Sequence, residues 1–533
     1  MQPTIPQPTI PQPIPQPIPK PGTHSADRSF AKYLKWGVIA LVLLIDFYLV
    51  SVMYLQGEIL FAILTLVVIS SGIYVFANPK TYAWRYVYPG IMGMGIFILF
   101  PLICTIVIAF TNYSGTNQLA FERAVSVLSQ QRYFSGEKYD FKLFAQADNQ
   151  WQIEVTSAQG ESYLSSDFRF GSETIELHLE SAVSAQSAVP LKTVIENRNL
   201  LQQSRLVLPN GAELSMSSLR QFAQQSPRYQ YNNENEELVN LENGKRYKAN
   251  NETGFFQLID NQGNWQAETL EPGYTVLTGW SNFIKIFSDE GIQKPFIQIF
   301  IWTILFSVLT VLFTVIIGMI LACVVQWEPL RGKGVYRLLL ILPYAVPAFI
   351  SILIFKGLFN QSFGEINLIL NQVFGIRPEW FNSPTLAKVM LVIVNTWLGY
   401  PYMMILCMGL LKAIPQDLYE ASAMDGASTW QNFSKITVPL LIKPLTPLMI
   451  ASFAFNFNNF VLIQLLTNGR PDMIGTSTPA GHTDLLVSYT YRIAFEGSGA
   501  QDFGLAAAIA TIIFLLVGGL ALLNLKATKL KLD

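Results

Sequence analysis

The sequence predicts an α-helical polytopic membrane protein with about eight transmembrane helices and a large β-rich periplasmic domain inserted between helices 3 and 4. Three observations predict it. Charged residues make up 13% of the 533 residues, about half the share usual in soluble domains. Charge-poor runs of membrane-spanning length recur along the chain. Between the third and fourth of them lies a long polar stretch rich in turn signals. The net charge of −1 offers nothing to nucleic acid. Cys104, Cys323 and Cys407 sit inside apolar runs and read as small hydrophobes. Neither they nor His24, His178 and His482 have the spacing of a disulfide or metal framework.

Residues 1–30 begin with repeated Pro-Gln-Pro-Ile and Pro-Thr-Ile units and read as a disordered cytoplasmic tail without the features of a secretory signal. Spans are expected at about 36–55, 59–77 and 86–110, then at 295–325, 338–357, 389–411, 444–467 and 503–525. Basic clusters at Arg28, Lys32 and Lys35, at Lys80 and Arg85, at Arg331, Lys333 and Arg337, and at Lys526, Lys529 and Lys531 all fall on one side. The positive-inside rule makes that side, with both termini, cytoplasmic. Residues 31–111 therefore hold helices 1–3 and residues 280–533 hold helices 4–8. Asp46 lies mid-span, where a charge costs about 2.5–3.5 kcal/mol, and reads as held by a structural partner.

Residues 112–279 carry alternating strands at 139–144, 152–156 and 174–179 and turn signals at Asn210-Gly211, Asn243-Gly244 and Asn261-Gln262-Gly263. Some helix is expected around 214–225. No catalytic constellation stands out, so this reads as a periplasmic docking domain. Pro343 and Pro347 predict a broken fifth span. Residues 364–384 read as an outer loop with a short helix at 366–373, and residues 470–501 as a polar outer loop.

Two stretches carry chemistry. Residues 414–439 form an amphipathic segment between two spans, with Pro415 opening a helix and Asp417 and Glu420 in its first turn, where the helix dipole favours them. Gly426 supplies the left-handed residue that ends it. Ser428 and Gln431 have capping-box spacing for a second short helix, which Pro439 is expected to stop. In the seventh span, Ser452, Asn456 and Asn459 have the i, i+4, i+7 spacing of one helix face, bordered by Phe455. The sixth offers Asn395, Trp397, Gly399, Pro401 and Tyr402. Such a stripe serves either as interhelical glue or as a site for a neutral, hydroxyl-rich solute, with amides for hydroxyls and aromatic faces for C–H surfaces. No G-x-x-x-x-G-K-[ST] phosphate loop is present, so any ATP hydrolysis belongs to another chain.

The 414–439 stretch resembles the EAA signature of ABC-importer permeases: Glu420, Ala421, Gly426, Phe433, Ile436 and Pro439 match, and Ser422 replaces the second alanine. The resemblance implies a cytoplasmic coupling helix whose Glu420, Ala421, Ser422, Met424, Asp425 and Gly426 dock on an ATPase. With the eight spans, the outer domain after the third and the run 444–460, the chain resembles the maltose/maltodextrin permease family of these importers. That implies ATP-driven uptake of maltose and maltodextrins across a bacterial inner membrane by alternating access. By motif match it implies a mid-membrane sugar pocket of Leu398, Gly399, Tyr402, Ser452, Phe455, Asn456 and Asn459. It implies as partners a second permease subunit (MalG-like), two copies of a cytoplasmic ATPase (MalK-like), a periplasmic maltose-binding protein and membrane lipid. The chain itself would be a non-catalytic permease subunit without a cofactor, ATP and Mg being bound by the ATPase. The rival reading, a membrane-anchored sensor or receptor with a periplasmic ligand-binding domain, wants a cytoplasmic output domain that the short inner loops do not supply.

Overall fold

The computed structural model describes residues 25–147, 150–170, 176–184, 186–497 and 501–527. The Pro-rich leader lies outside them. Contacts divide the chain into two units, Met1–Cys104 and Thr105–Asp533.

The first unit consists of α1 (Ser25–Leu55), α2 (Ile59–Ala77) and α3 (Trp84–Met94), with a π-turn at Gly95–Leu99 leading into α4 (Phe100–Ile108), which runs on into the second unit. The spans are Tyr33–Leu55, Ile59–Ala77 and Trp84–Ile108. Large apolar side chains such as Phe47 point outward, as they do when lipid is the solvent. Polar ties join these helices: Tyr88 Oη donates to Val68 O at 2.6 Å, and Arg85 donates to Phe76 O and Asn78 O around the end of α2. Asp46 is 3% exposed, and its Oδ1 meets no donor among the described residues. The structural partner expected for it is missing at that oxygen.

The second unit opens with a β-rich insertion. After α5 (Phe121–Ser129) come β1 (Arg132–Ala145), β2 (Trp151–Thr156), β3 (Ser162–Ser165) and β4 (Glu176–Glu180). The short α6 (Leu191–Glu196) and α7 (Arg198–Gln203) precede β5 (Arg205–Val207), β6 (Glu213–Ser218) and β7 (Gln221–Pro227), which pairs with β1 and closes a barrel. A five-stranded sheet follows: β8 (Tyr229–Asn232), β9 (Glu237–Asn240), β10 (Arg246–Asn250), β11 (Phe255–Ile259) and β12 (Trp265–Leu270). Gly211, Gly244 and Gly263 adopt positive φ at the tips of three hairpins, where the sequence marked turns. Of the strand expected at 174–179, residues 174 and 175 lie outside the described residues and the rest belongs to β4. The helix expected around 214–225 is instead the β6–β7 hairpin. Leu214 and Phe222 are fully buried inside the barrel, and that burial outweighs local propensity. Thr111 bridges Leu277, and Asn282 donates to Ala109 O and Thr111 O, so the insertion is tied at its base.

The helical part of this unit runs α8 (Ser281–Ser288), α9 (Glu290–Gln326), α10 (Lys333–Ala345), α11 (Ala348–Leu358), α12 (Glu365–Phe374) and α13 (Pro384–Leu411). It continues with α14 (Asp417–Met424), α15 (Thr429–Asn432), α16 (Val438–Phe457), α17 (Phe460–Leu466), α18 (Leu486–Phe495) and α19 (Phe503–Ala527). Among the described residues, seven helices are long and apolar enough to cross a membrane, or eight if α10 and α11, bent by 92° at the break between Ala345 and Ala348, make one broken span. The two prolines cause that break, since neither donates to the helix ladder.

Two expectations fail here. Pro439 does not stop the second short helix: Thr429–Phe457 is one helical run. Residues Phe433–Thr437 form a π-turn in which Val438 N–H reaches back to Phe433 O. Pro439 thereby falls in the first turn of α16, where it gives up no hydrogen bond. Nor is 470–501 merely a polar loop. It contains α18, four of whose residues, including Tyr489 and Ile493, pack with α19 and the start of α9.

Candidate functional site

The geometry begins with how closely α9 and α13 approach. They run parallel in fixed register, Thr310 beside Asn395, Thr314 beside Gly399 and Gly318 beside Met403. A Cβ on Gly399 would stand 2.8 Å from Thr314 Cγ2, and one on Gly318 2.8 Å from Met403 Cβ. The two glycines are thus what lets the backbones close together. Gly399, expected at the sugar pocket, is committed to this contact.

Against that pair, α16 ends at Asn458 and α17 starts afresh, with Asn459 as its N-cap and Asn459 Oδ1 accepting from Leu462 N. Asn459 is therefore not on the helix face of Ser452 and Asn456, contrary to the i, i+4, i+7 expectation. The run of asparagines after Phe455 competes with the backbone for hydrogen bonds and breaks the helix. The break nevertheless brings the groups together. Asn395 Nδ2 donates to Asn456 Oδ1 at 2.7 Å and to Thr310 Oγ1 at 3.3 Å. Asn459 Nδ2 donates to Asn395 Oδ1 at 3.1 Å, and Asn456 Nδ2 to Ser452 O at 2.8 Å. Asn395 and Asn456 are buried. Five neutral polar side chains from four helices thus form one continuous junction, in which the asparagine amides are bonded chiefly to protein.

The other expected site residues divide. Leu398 packs into the apolar cluster around Trp302 and Leu462. Tyr402 is 40% exposed and Phe455 73% exposed, so two aromatic surfaces stand uncovered by this chain. The arrangement offers neutral hydrogen-bonding groups beside open aromatic surfaces, which is the chemistry of a polyol or sugar site. Thr310, which belongs to the junction, escaped the sequence reading because a single Thr in an apolar span carries no signal until its neighbour is known.

Up to Gln431, the segment 414–439 closes and restarts its helices at the residues its spacing marks. Gly426 has φ +75°, Gly426 N donates to Ala423 O at 3.1 Å and Ala427 N to Ser422 O at 3.0 Å, which is a Schellman close of α14. Ser428 and Gln431 exchange both bonds of a capping box at the start of α15. Tyr419 and Thr437 hydroxyls meet at 2.9 Å and pin α14 to the run leading into α16. Glu420, Ala421, Met424, Asp425 and Gly426 are exposed and Ser422 partly so. The result is a rigid platform with an open acidic and small-residue face.

A further cluster was not foreseen. Asp484 is fully buried; it accepts from Gly481 N at 2.7 Å, Ser488 Oγ at 2.8 Å and Arg492 Nη1 at 3.0 Å. Arg492 also holds Asp472 at 2.7 Å and Glu496 at 3.1 Å. Burial pushes the Asp484 carboxyl up to about 6, against the pull of Arg492 and Ser488. Burial also works against the Arg492 charge, but Asp484 and Asp472 outweigh it and raise its pKa. Only the 12- and 8-residue separations of Asp472, Asp484 and Arg492 mark this cluster in sequence, and they fit no local motif.

The chain matches known proteins along most of its length. Residues 33–80 match the N-terminal transmembrane region of MalF, residues 119–279 the maltose transport system permease protein MalF P2 domain, and residues 314–527 the binding-protein-dependent transport system inner membrane component. It is 63% identical over 502 residues to the maltose/maltodextrin transport system permease protein MalF of Escherichia coli strain K12, covering 94% of this chain and 97% of that one. It is 62% identical over 504 residues to the protein of the same name from Yersinia pestis, covering 94% and 95%. Among solved structures, a bacterial alginate ABC transporter aligns over 47% of this chain and 84% of its own at 21% identity, with a TM-score of 0.40.

Proposed function

The chain belongs to the MalF family of maltose/maltodextrin transport system permease proteins, and from that premise we propose how its residues serve transport. It is the permease subunit of a maltose ABC importer, a multi-span inner-membrane component with a periplasmic domain. Transport needs a site that a neutral sugar enters and leaves and a contact that delivers ATP energy to it.

The site we propose comprises Ser452, Asn456 and Asn459, with Tyr402 and Phe455 as aromatic walls and Leu398 and Gly399 fixing the helix beside them. The bonded junction of Asn395, Asn456 and Asn459 carries this reading. Within this chain the amides satisfy one another and hold α13 against α16 and α17. When those helices part, the same amides exchange partners for sugar hydroxyls, so little polar desolvation is left unmatched. The absence of charge from this junction suits a neutral solute. Tyr402 and Phe455 stay open for the sugar and for the second permease subunit that completes the chamber.

The platform of Glu420, Ala421, Ser422, Met424, Asp425 and Gly426 is the proposed contact with one of two cytoplasmic ATPase copies, which bind ATP and Mg while this chain remains non-catalytic. Its rigid link through α15 into α16 ties ATPase closure to the asparagine junction. Both termini are cytoplasmic on this reading, and the inserted barrel and sheet hold the maltose-binding protein. The test is maltose-stimulated ATP hydrolysis by the reconstituted assembly. Asn456→Ala and Asn459→Ala are expected to cut maltose transport severalfold while the ATPase still co-purifies. Unchanged transport kinetics in both would return these residues to a purely structural role.

A further inference from the structure

The outward faces of α9 and α13 frame a groove of about 1020 Å³ that contains none of the sugar-site residues. Its floor is aliphatic and open, with Ile301 58%, Leu305 48% and Ile393 45% exposed. One end is different. Lys388 places its ammonium 4.9 Å from the centre of the Trp302 ring. Among the described residues it pairs with no carboxylate. Trp302 is 4% exposed, yet its indole N–H has no hydrogen-bond partner among the described residues. Because α9 leaves the periplasmic insertion and α13 runs parallel to it, this polar end is the periplasmic one.

A buried N–H without a partner and an ammonium without a counter-charge, above an apolar floor, describe an amphiphile's seat. An apolar neighbouring helix does not fit it, because it would enclose the lysine without an anion at a cost of several kcal/mol. A phosphate supplies both a charge and acceptors. From Lys388 to Tyr400 the groove descends about 18 Å at 1.5 Å per residue, close to the ~15 Å depth of one leaflet. We propose that this groove binds a phospholipid of the periplasmic leaflet, its phosphate held by Lys388 and the Trp302 N–H and one acyl chain lying over Leu305.

Native mass spectrometry of the purified, assembled transporter titrated with phosphatidylglycerol tests this. Wild type should retain a tight lipid whose affinity falls about tenfold in Lys388→Gln and is kept in Lys388→Arg. Ile301→Trp fills the floor, leaves Lys388 intact and should lose the same lipid. Equal lipid retention by wild type, Lys388→Gln and Ile301→Trp would overturn the proposal. So would an efficient cross-link from a cysteine at position 301 to the second permease chain, which would show protein in the groove.

Discussion

Asn395 shows what one residue decides. It bonds to Thr310, Asn456 and Asn459 at once, so its removal takes their partner from two acceptors and a donor in the membrane interior. Interhelical bonds of this kind contribute about 0.6 kcal/mol each. Asn395→Ala should therefore lower the thermal midpoint of the assembly only modestly while reducing maltose transport, and normal transport in that variant would count against the partner-exchange account. Arg492→Ala should behave differently, since it leaves Asp484 buried without its cation and should destabilise the fold by about 3–5 kcal/mol. Asp484 also sets a pH dependence. Its carboxyl titrates at about 6 in the fold against roughly 4 in an unfolded chain. A raised carboxyl binds its proton more readily when folded, so its contribution is complete below about pH 4 and is lost as pH rises through 6. The thermal midpoint of wild type should fall across that window more than that of Asp484→Asn; equal slopes would refute it.

Elements that depend on local spacing were the ones readable in advance. The Schellman close at Gly426 and the capping box at Ser428 each need only neighbours in sequence, and both formed as written. Gly426→Val puts a β-branched residue at φ +75°, at a cost of roughly 1–2 kcal/mol. It is expected to uncouple ATP hydrolysis from uptake while membrane insertion, followed by immunoblot of the membrane fraction, persists. The Pro343 and Pro347 break was legible for the same local reason. Pro439 was not, because its effect depends on the π-turn at Phe433–Thr437, which no residue type announces. The β6–β7 hairpin was misread as helix because its apolar residues gain burial only once the barrel encloses them.

At the level of the whole molecule, the insertion is a separable layer. Its base is tied by the Thr111–Leu277 bridge and by Asn282, so its two ends already meet. Replacing residues 119–274 with a short linker should leave a membrane part that still assembles with its ATPase, as gel filtration would show, but that imports maltose poorly at low binding-protein concentration. Failure to assemble would mean that the domain also holds the helices together. Hydropathy and charge placement by themselves located most of the spans, the insertion and the exposed acidic platform, because each depends on solvent preference or on residues within a few positions. Only the tertiary structure decided which polar groups meet. Asn395 and Asn456 are 61 residues apart and Asp484 and Arg492 belong to a segment that looked like loop. Whether a buried amide or ion is satisfied depends on what stands a hydrogen bond away in space, and chain order does not carry that distance.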